Sequence, residues 1–225
     1  MQHLFPVNLN LRDRKCLIVG GGRVAERKVR SLLQCEADIW IVSPELTDEL
    51  AKLVQEDKIT HINRHYKIED LDDCFLVVSA VDDREVNSRV AHECFQRNIP
   101  FNVVDDPVRC TFTVPSVLRR GPLCISVSTT GKSPLLARKI REQLEELFGV
   151  GYAEFLELMG EIRNRVLEDV PDGEKRRRIF ECLIDSDILE LMRKKIQDTG
   201  RKAQDVGQSD IDRLIDERIA KCMSS

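Results

Sequence analysis

The sequence predicts an α/β protein in which helices cover both faces of a parallel β-sheet. Short apolar runs such as 16–19 and 74–80 alternate with helical patterns through the first half of the chain. This alternation is typical of parallel strands joined by crossover helices. The runs are almost wholly apolar, as expected for strands that are buried on both faces. From residue 151 onward only helical patterns follow.

The predicted elements divide the chain into three domains: 1–113, 114–150 and 151–225. The first is the sheet domain, which we expect to be Rossmann-like. The second is a small α+β segment, because two strand-like runs, 111–118 and 123–128, precede a helix that Ser133 caps. The third is a C-terminal helical domain, and its last two helices are predicted at 187–198 and 209–221.

The first apolar run ends at a glycine-rich turn, Gly20-Gly21-Gly22, and a helical pattern begins at Arg23. In a G-x-G-x-x-A turn, Gly20 permits the sharp bend, Gly22 lets a pyrophosphate approach the backbone, and Ala25 lets the helix pack closely on the strand. The N-terminus of the helix offers unpaired N–H groups to a phosphate. Since the turn lies between a strand and a helix, it predicts a dinucleotide site.

The ends of other predicted strands contribute to the same site, because ligands of parallel sheets gather at the carboxyl ends of the strands. Ser43 and Glu45 follow the second strand and are within reach of a ribose. Ala80 to Asp82 follow a later strand. No basic residue comes directly after Ser43 to accept a 2′-phosphate, so we expect NAD rather than NADP.

Asp105 is the candidate acid/base residue. It follows the buried strand 101–104 and precedes Asp106-Pro107, which fix a turn. A carboxylate at this edge of the sheet can take a proton from a substrate. Aspartates in turns also cap backbone N–H groups, and spacing alone leaves both interpretations open.

A basic stretch, residues 107–141, contains no Asp or Glu but seven basic residues. In a chain of net charge −4 this stretch predicts an anion-binding segment, with a solvated basic face as the alternative. A turn at 128–133 opens a helix there, and Ser126 stands where a P-loop needs glycine. The predicted contacts to substrate carboxylates are Arg119, Arg120, Ser128, Thr129, Thr130, Gly131, Lys132 and Ser133.

Composition excludes several classes of function. The net charge of −4 argues against general nucleic-acid binding. The chain has no apolar run of membrane-spanning length and no signal-like start, so we predict a cytoplasmic protein. The eight cysteines show no metal-ligand spacing and are predicted to be buried thiols rather than disulfides, and the histidines share no ligand spacing either. No metal site is predicted.

Four motifs, in order, resemble the precorrin-2 dehydrogenase family, which includes stand-alone and fused sirohaem synthases: 20–28, 102–107, 110–116 and 128–134. The resemblance implies NAD-dependent oxidation of precorrin-2 to sirohydrochlorin and, in some members, insertion of ferrous iron. Whether this chain also inserts iron stays open. The resemblance further implies a homodimer built through the segment after the dinucleotide domain, so 114–150 is expected to serve dimerisation and substrate binding.

Carried onto this chain, the family's key catalytic aspartate in the N-V-V-D-x-P motif is Asp105. Thr129 lies where some members carry a serine in the substrate region. The chain departs from the family at Glu36 and Thr130, where glycines are usual. The residues that correspond to NAD contacts are Gly20, Gly22, Arg23, Val24, Ala25, Ser43, Pro44, Glu45, Ala80 and Asp82. The alternative is a non-catalytic NAD-sensing module, which leaves Asp105 and the basic stretch without a role.

Overall fold

The computed structural model describes residues 4–104, 106–186, 189 and 190. The chain divides into two compact units, Met1–Val114 and Pro115–Ser225. The helices predicted at 187–198 and 209–221 lie outside the described residues, apart from residues 189 and 190. The division of the chain into three domains stays a prediction.

The first unit is built on a five-stranded parallel sheet in the order β3-β2-β1-β4-β5. The strands are β1 Lys15–Val19, β2 Asp38–Val42, β3 Thr60–Ile62, β4 Leu76–Ser79 and β5 Phe101–Val103. The helices are α1 Arg23–Leu33, α2 Asp48–Gln55 and α3 Arg84–Gln96, with a short 3-10 turn at Ile68–Leu71. The predicted Rossmann-like fold is confirmed.

Two apolar cores lie on opposite faces of this sheet. Ile18 of β1 belongs to the core that also holds Ala25 and Val29 of α1 and residues of α2. Leu17, the preceding residue, belongs to the core that holds Val90 of α3. Adjacent residues of a strand point to opposite faces, so both faces of β1 are buried. The covering helix therefore changes face between β1 and β4, which are neighbours, and such a point is where open α/β sheets bind ligands.

One helix start and one strand start are set by threonines. Helix α2 begins at Asp48, because Thr47 is the N-cap and its hydroxyl accepts the Leu50 N–H. The strand expected from Thr111 begins only at Ser116. Thr111 lies beside β5 instead, where its N–H donates to the Phe101 carbonyl and its hydroxyl accepts the Phe101 N–H.

The second unit starts with the predicted hairpin and continues as helices. Strands β6 Ser116–Arg120 and β7 Leu123–Val127 pair antiparallel. The helices are α4 Pro134–Leu147, α5 Gly151–Asp169 and α6 Gly173–Ile184. Ser133 caps α4 as predicted, since its hydroxyl accepts the Leu136 N–H at 3.3 Å. Phe155 and Ile162 of α5 pack with Ile179 and Leu183 of α6 in an apolar core.

The two positions where the resemblance implies glycine have a left-handed backbone. Glu36 has φ 55° and Thr130 has φ 50°. Glycine adopts this conformation without steric cost, whereas other residues carry a cost of roughly 1–2 kcal/mol. The steric cost is larger at Thr130 than at Glu36, because the β-branched side chain of threonine crowds the backbone in this conformation.

Thr130→Gly is therefore expected to raise the free energy of unfolding by about 0.5–1 kcal/mol, the relief of strain less the extra chain entropy of glycine. The measurement is the thermal midpoint of the purified protein. Thr129→Gly is the matched control and is expected to destabilise, because the Thr129 hydroxyl accepts the Ser133 N–H at 3.1 Å. Equal losses in both variants would contradict this account of Thr130.

The prediction of buried thiols is confirmed for three cysteines. The side chains at 16, 35, 74, 94, 110 and 124 are thiols rather than disulfides, of which Cys16, Cys74 and Cys94 are buried and the other three half-buried. Cys222 lies outside the described residues. Cys182 is disulfide-bonded, so the prediction is wrong there, because cysteine spacing does not show which sulfur atoms the fold brings within bonding distance. Burial, the largest cause, raises the pKa of Cys16 to about 12, of Cys74 to about 11 and of Cys94 to about 12.

These raised pKa values predict a loss of stability in alkali. The folded thiols stay protonated, while unfolded thiols ionise above about pH 9, so the stabilisation is complete below that pH and is lost as the pH rises toward about 12. Each thiol contributes a slope of up to about 1.4 kcal/mol per pH unit. Urea unfolding of Cys94→Ala should show a shallower alkaline slope than wild type. Val90→Ala, which also removes buried volume from α3, should keep the wild-type slope, and an unchanged slope in Cys94→Ala would disprove the explanation.

Candidate active site

Gly20 lies at the carboxyl edge of the sheet between the ends of two other strands. Its N–H donates to the Val42 carbonyl at the end of β2, at 2.9 Å. On its other side, a Cβ would lie 2.5 Å from the Ala80 carbonyl oxygen that follows β4. Its φ of 112° is also one that side-chain-bearing residues rarely adopt. The turn after β1 can therefore close only with glycine here, as the sequence pattern predicts.

Gly21, to which the pattern assigns no role, is the most tightly enclosed residue of the turn. A Cβ there would lie 1.9 Å from the Glu45 carbonyl oxygen and 2.8 Å from the Ser43 hydroxyl. The Thr47 N–H also donates to the Gly21 carbonyl at 3.0 Å. The segment between β2 and α2 is thus packed directly on the glycine-rich turn.

Gly22 faces open space. A Cβ there would meet nothing within 4 Å, and its φ of −85° suits any residue. It is the N-cap of α1 and supplies no side-chain cap, so the first N–H groups of the helix, from Arg23 to Ala25, have no partner within the helix. Open space in front of free N–H groups fits a pyrophosphate.

Ser43 takes part in the packing of the segment that follows β2. It is buried, its hydroxyl donates to the Glu45 carbonyl at 2.7 Å, and its own carbonyl lies 2.9 Å from His61 Nε2. Since a carbonyl only accepts, His61 carries its proton on Nε2. Pro44 and Glu45 are exposed. A contact of this segment with the cofactor ribose stays a prediction.

The turn after β4 is held by a polar side chain of α3. Ser79 is buried, and its hydroxyl donates to Asn87 Oδ1 at 2.7 Å. Asn87 Nδ2 donates to the Val81 carbonyl at 2.9 Å. Ala80 is half-buried and Asp82 exposed at this edge. Sequence reasoning missed Asn87, because no local signal shows that the fold brings the Ser79 hydroxyl and the Val81 carbonyl within hydrogen-bonding distance of its amide.

The segment after β5 is anchored on both sides of residue 105. The Val104 N–H donates to the Ser79 carbonyl at 3.0 Å, and the Asp106 N–H donates to the Val103 carbonyl at 3.3 Å. The Asp106 carboxylate pairs with Arg109 at 3.1 Å, and Arg109 also donates to the Ser88 hydroxyl of α3. Asp105, the predicted catalytic residue, lies outside the described residues.

The Cys110 sulfur holds the backbone of the segment after β5 by contacts to residues on both sides of residue 105. It accepts the Val103 N–H at 3.2 Å and lies 3.2 Å from the Asp106 carbonyl. Burial raises the pKa of the thiol, so it stays protonated. Burial also lowers the pKa of Lys28 on α1, with Arg27 adding to that decrease and Cys110 opposing it. This half-buried lysine was not predictable from the sequence, because the pattern Arg27-Lys28 is typical of two solvated side chains.

The basic stretch is less positive than its sequence indicates. On α4, Arg138 pairs with Glu142 at 2.8 Å, and Arg141 pairs with Glu145. Arg120 donates through Nε to the Phe148 carbonyl at 3.0 Å, so its guanidinium supports the fold. Among the residues that the structure describes, none forms an ion pair with Lys132. Of the predicted substrate contacts, Arg119, Ser128, Thr130, Gly131 and Lys132 are exposed, and Thr129 and Ser133 are half-buried.

Within residues 4–104 and 106–186, no group of three or more His, Cys, Asp or Glu side chains is arranged to hold a metal ion. Over the same described part of the chain, no helix combines the length and the apolar composition that a bilayer crossing requires.

Three protein-family models match the chain in succession. Residues 7–116 match a family described as "Putative NAD(P)-binding", residues 120–147 match "Sirohaem biosynthesis protein central", and residues 151–204 match "Sirohaem synthase dimerisation region". The descriptions of the second and third models both name sirohaem. The resemblance seen in the sequence is thereby confirmed, and the glycine-rich turn lies within the residues that match the NAD(P)-binding model.

Relatives in the sirohaem synthase family are longer than this chain. A siroheme synthase of Thioalkalivibrio sulfidiphilus is 41% identical over 198 residues, and one of Methylobacillus flagellatus is 40% identical over 198 residues. Each alignment covers 88% of this chain but only 40% and 42% of the relative. The solved structure "SirC, precorrin-2 dehydrogenase" has a TM-score of 0.70 with 24% identity, covering 87% of this chain and 100% of that chain. This likeness supports the fold.

The different surroundings of Gly21 and Gly22 give a paired prediction. Gly22→Ala should keep the wild-type thermal midpoint, because its Cβ enters open space. It should weaken NAD binding at least about tenfold, because the methyl group takes the space of the pyrophosphate. Gly21→Ala should lower both the midpoint and the affinity, because the Glu45 backbone must move. Calorimetric titration with NAD and a thermal melt measure both quantities, and full NAD affinity in Gly22→Ala would exclude this turn as the cofactor site.

Proposed function

We propose that this protein oxidises precorrin-2 to sirohydrochlorin with NAD as the oxidant, a step of sirohaem biosynthesis. The observation that carries the proposal is the meeting of three strand ends at one edge of the sheet. There the glycine-rich turn packs against Ala80, and Val104, the residue before Asp105, is bonded to Ser79. The cofactor loop and the residue that precedes the candidate acid/base residue therefore lie at the same edge.

The cofactor half of the proposal rests on the α1 N-terminus. Bound NAD supplies the hydride acceptor. The N–H groups of Arg23, Val24 and Ala25 would hold its pyrophosphate, with Gly22 giving access. The exposed Glu45 would reach the ribose hydroxyls, and a carboxylate at this strand end disfavours the 2′-phosphate of NADP.

The substrate half of the proposal rests on Asp105 and the basic stretch. Oxidation removes two hydrogens from precorrin-2, one as a hydride and one as a proton, and Asp105 would take the proton. Precorrin-2 carries many carboxylates. Arg119 and Lys132, with the hydroxyl and N–H groups of the turn at 128–133, would bind them.

We further propose that the protein acts as a homodimer in the cytoplasm. The match of residues 151–204 to a dimerisation region supports the dimer. The substrate of the proposed reaction is a soluble small molecule, so a cytoplasmic location follows from the reaction.

Asp105→Asn tests the proposed base. The amide cannot accept the proton, so the kcat for NADH formation with precorrin-2 should fall about 10²–10⁴-fold, while the affinity for NAD stays near that of wild type. Anaerobic assays follow NADH absorbance, and titration gives the NAD affinity. Asp106→Asn is the matched control, because the Asp106 carboxylate pairs with Arg109, and it should retain kcat within about threefold. Near wild-type turnover by Asp105→Asn would rule out this role.

A further inference from the structure

The Asn87 side chain links the end of β4 to the turn that follows it. Its amide joins the Ser79 hydroxyl at the end of β4 to the Val81 carbonyl in the next turn. The Ser79 carbonyl accepts the N–H of Val104, which precedes Asp105. The turn at 80–82, predicted to contact the cofactor, and the start of the β5 loop are therefore both tied to this amide.

The direction of each bond follows from the chemistry of the partners. The Val81 carbonyl can only accept, so the Asn87 NH2 must face it, and Asn87 Oδ1 must face Ser79. The Ser79 hydroxyl is then the donor of the second bond. Asn87 thus needs one donor and one acceptor at fixed positions, a pattern that neither an ionised carboxylate nor an apolar side chain supplies.

We propose that Asn87 is a positioning residue, which fixes the 80–82 turn against the end of β5 and so sets the geometry between bound NAD and Asp105. This inference rests on the proposed function for the role of Asp105. The claim that Asn87 fixes the 80–82 turn can be tested by NAD binding alone.

The variant Asn87→Asp distinguishes a hydrogen-bonding role of Asn87 from a role in packing alone. The ionised carboxylate still accepts from Ser79 but turns a second acceptor toward the Val81 carbonyl. A protonated carboxyl restores the original pattern, since its O–H donates to Val81 and its other oxygen accepts from Ser79. Burial and the facing carbonyl favour the protonated form, so moderately acid solution should rescue the variant.

Other charged groups of the neighbouring elements enter the pH comparison. Strand β4 contributes none. The remaining groups are Asp82 and Asp83 in the turn, Arg84 and Glu85 on α3, and the Asp106–Arg109 pair after β5. All are present in the wild-type protein, so the ratio of variant to wild type at each pH removes their contribution.

The experiment measures NAD affinity by calorimetry and kcat with precorrin-2 at about pH 8 and about pH 5.5, for wild type, Asn87→Asp and Asn87→Leu. At the higher pH, Asn87→Asp should bind NAD at least about fivefold more weakly and turn over at least about tenfold more slowly than wild type. At the lower pH its ratio to wild type should rise at least about threefold, whereas Asn87→Leu should stay impaired at both. The control is Asn98→Asp, the same substitution at an exposed residue beyond α3, with a ratio near one throughout.

The outcomes separate this inference from the proposed function. A ratio for Asn87→Asp that does not change with pH, or NAD affinity within about twofold of wild type at the higher pH, overturns the positioning role. If wild type forms no NADH from precorrin-2, the proposed reaction fails, and the NAD affinities alone decide on Asn87. Should Asn87→Asp not fold, Ser79→Ala replaces it. That variant removes only the donor hydroxyl and should weaken NAD binding about threefold, and wild-type affinity would contradict the proposal.

Discussion

The close approach of Gly20 to the Ala80 carbonyl is the constraint on which the rest of the site depends. A Cβ at Gly20 would lie 2.5 Å from that oxygen, while the Gly20 N–H is bonded to the Val42 carbonyl. One residue without a side chain thus joins the ends of β1, β2 and β4. The change of the covering helix from one face to the other falls between β1 and β4, so this contact lies where a parallel sheet opens toward a ligand.

The sequence predicts those features of the site that depend on a few consecutive residues. The roles of Gly20 and Gly22 follow from a turn of a few residues, and the structure surrounds each as the pattern requires. The enclosure of Gly21 could not be predicted, because its partner, the Glu45 backbone, lies in a different βα connection. Asn87 escaped notice for the same reason, since its role depends on carbonyl and hydroxyl groups that only the fold brings together.

The basic stretch shows how a sequence window can mislead about charge. Residues 107–141 contain no acidic residue, yet Arg138 and Arg141 pair with Glu142 and Glu145, one helical turn further along α4. The fold of the second unit therefore neutralises part of the predicted anion site. Lys132, in the turn at 128–133, forms no ion pair with any residue that the structure describes, so its charge is available to a polycarboxylate. The left-handed backbone of Thr130 in that turn agrees with the resemblance, which implies a glycine at that position.

We propose that the cofactor edge of this sheet serves a redox reaction rather than nucleotide sensing. The most direct measurement mixes the wild-type protein with NAD and precorrin-2 without oxygen and follows NADH and sirohydrochlorin by absorbance together. The account predicts that the two products appear in equal amounts and only when NAD is present. Binding of NAD without formation of NADH in the presence of precorrin-2 would contradict it and would favour a sensing module.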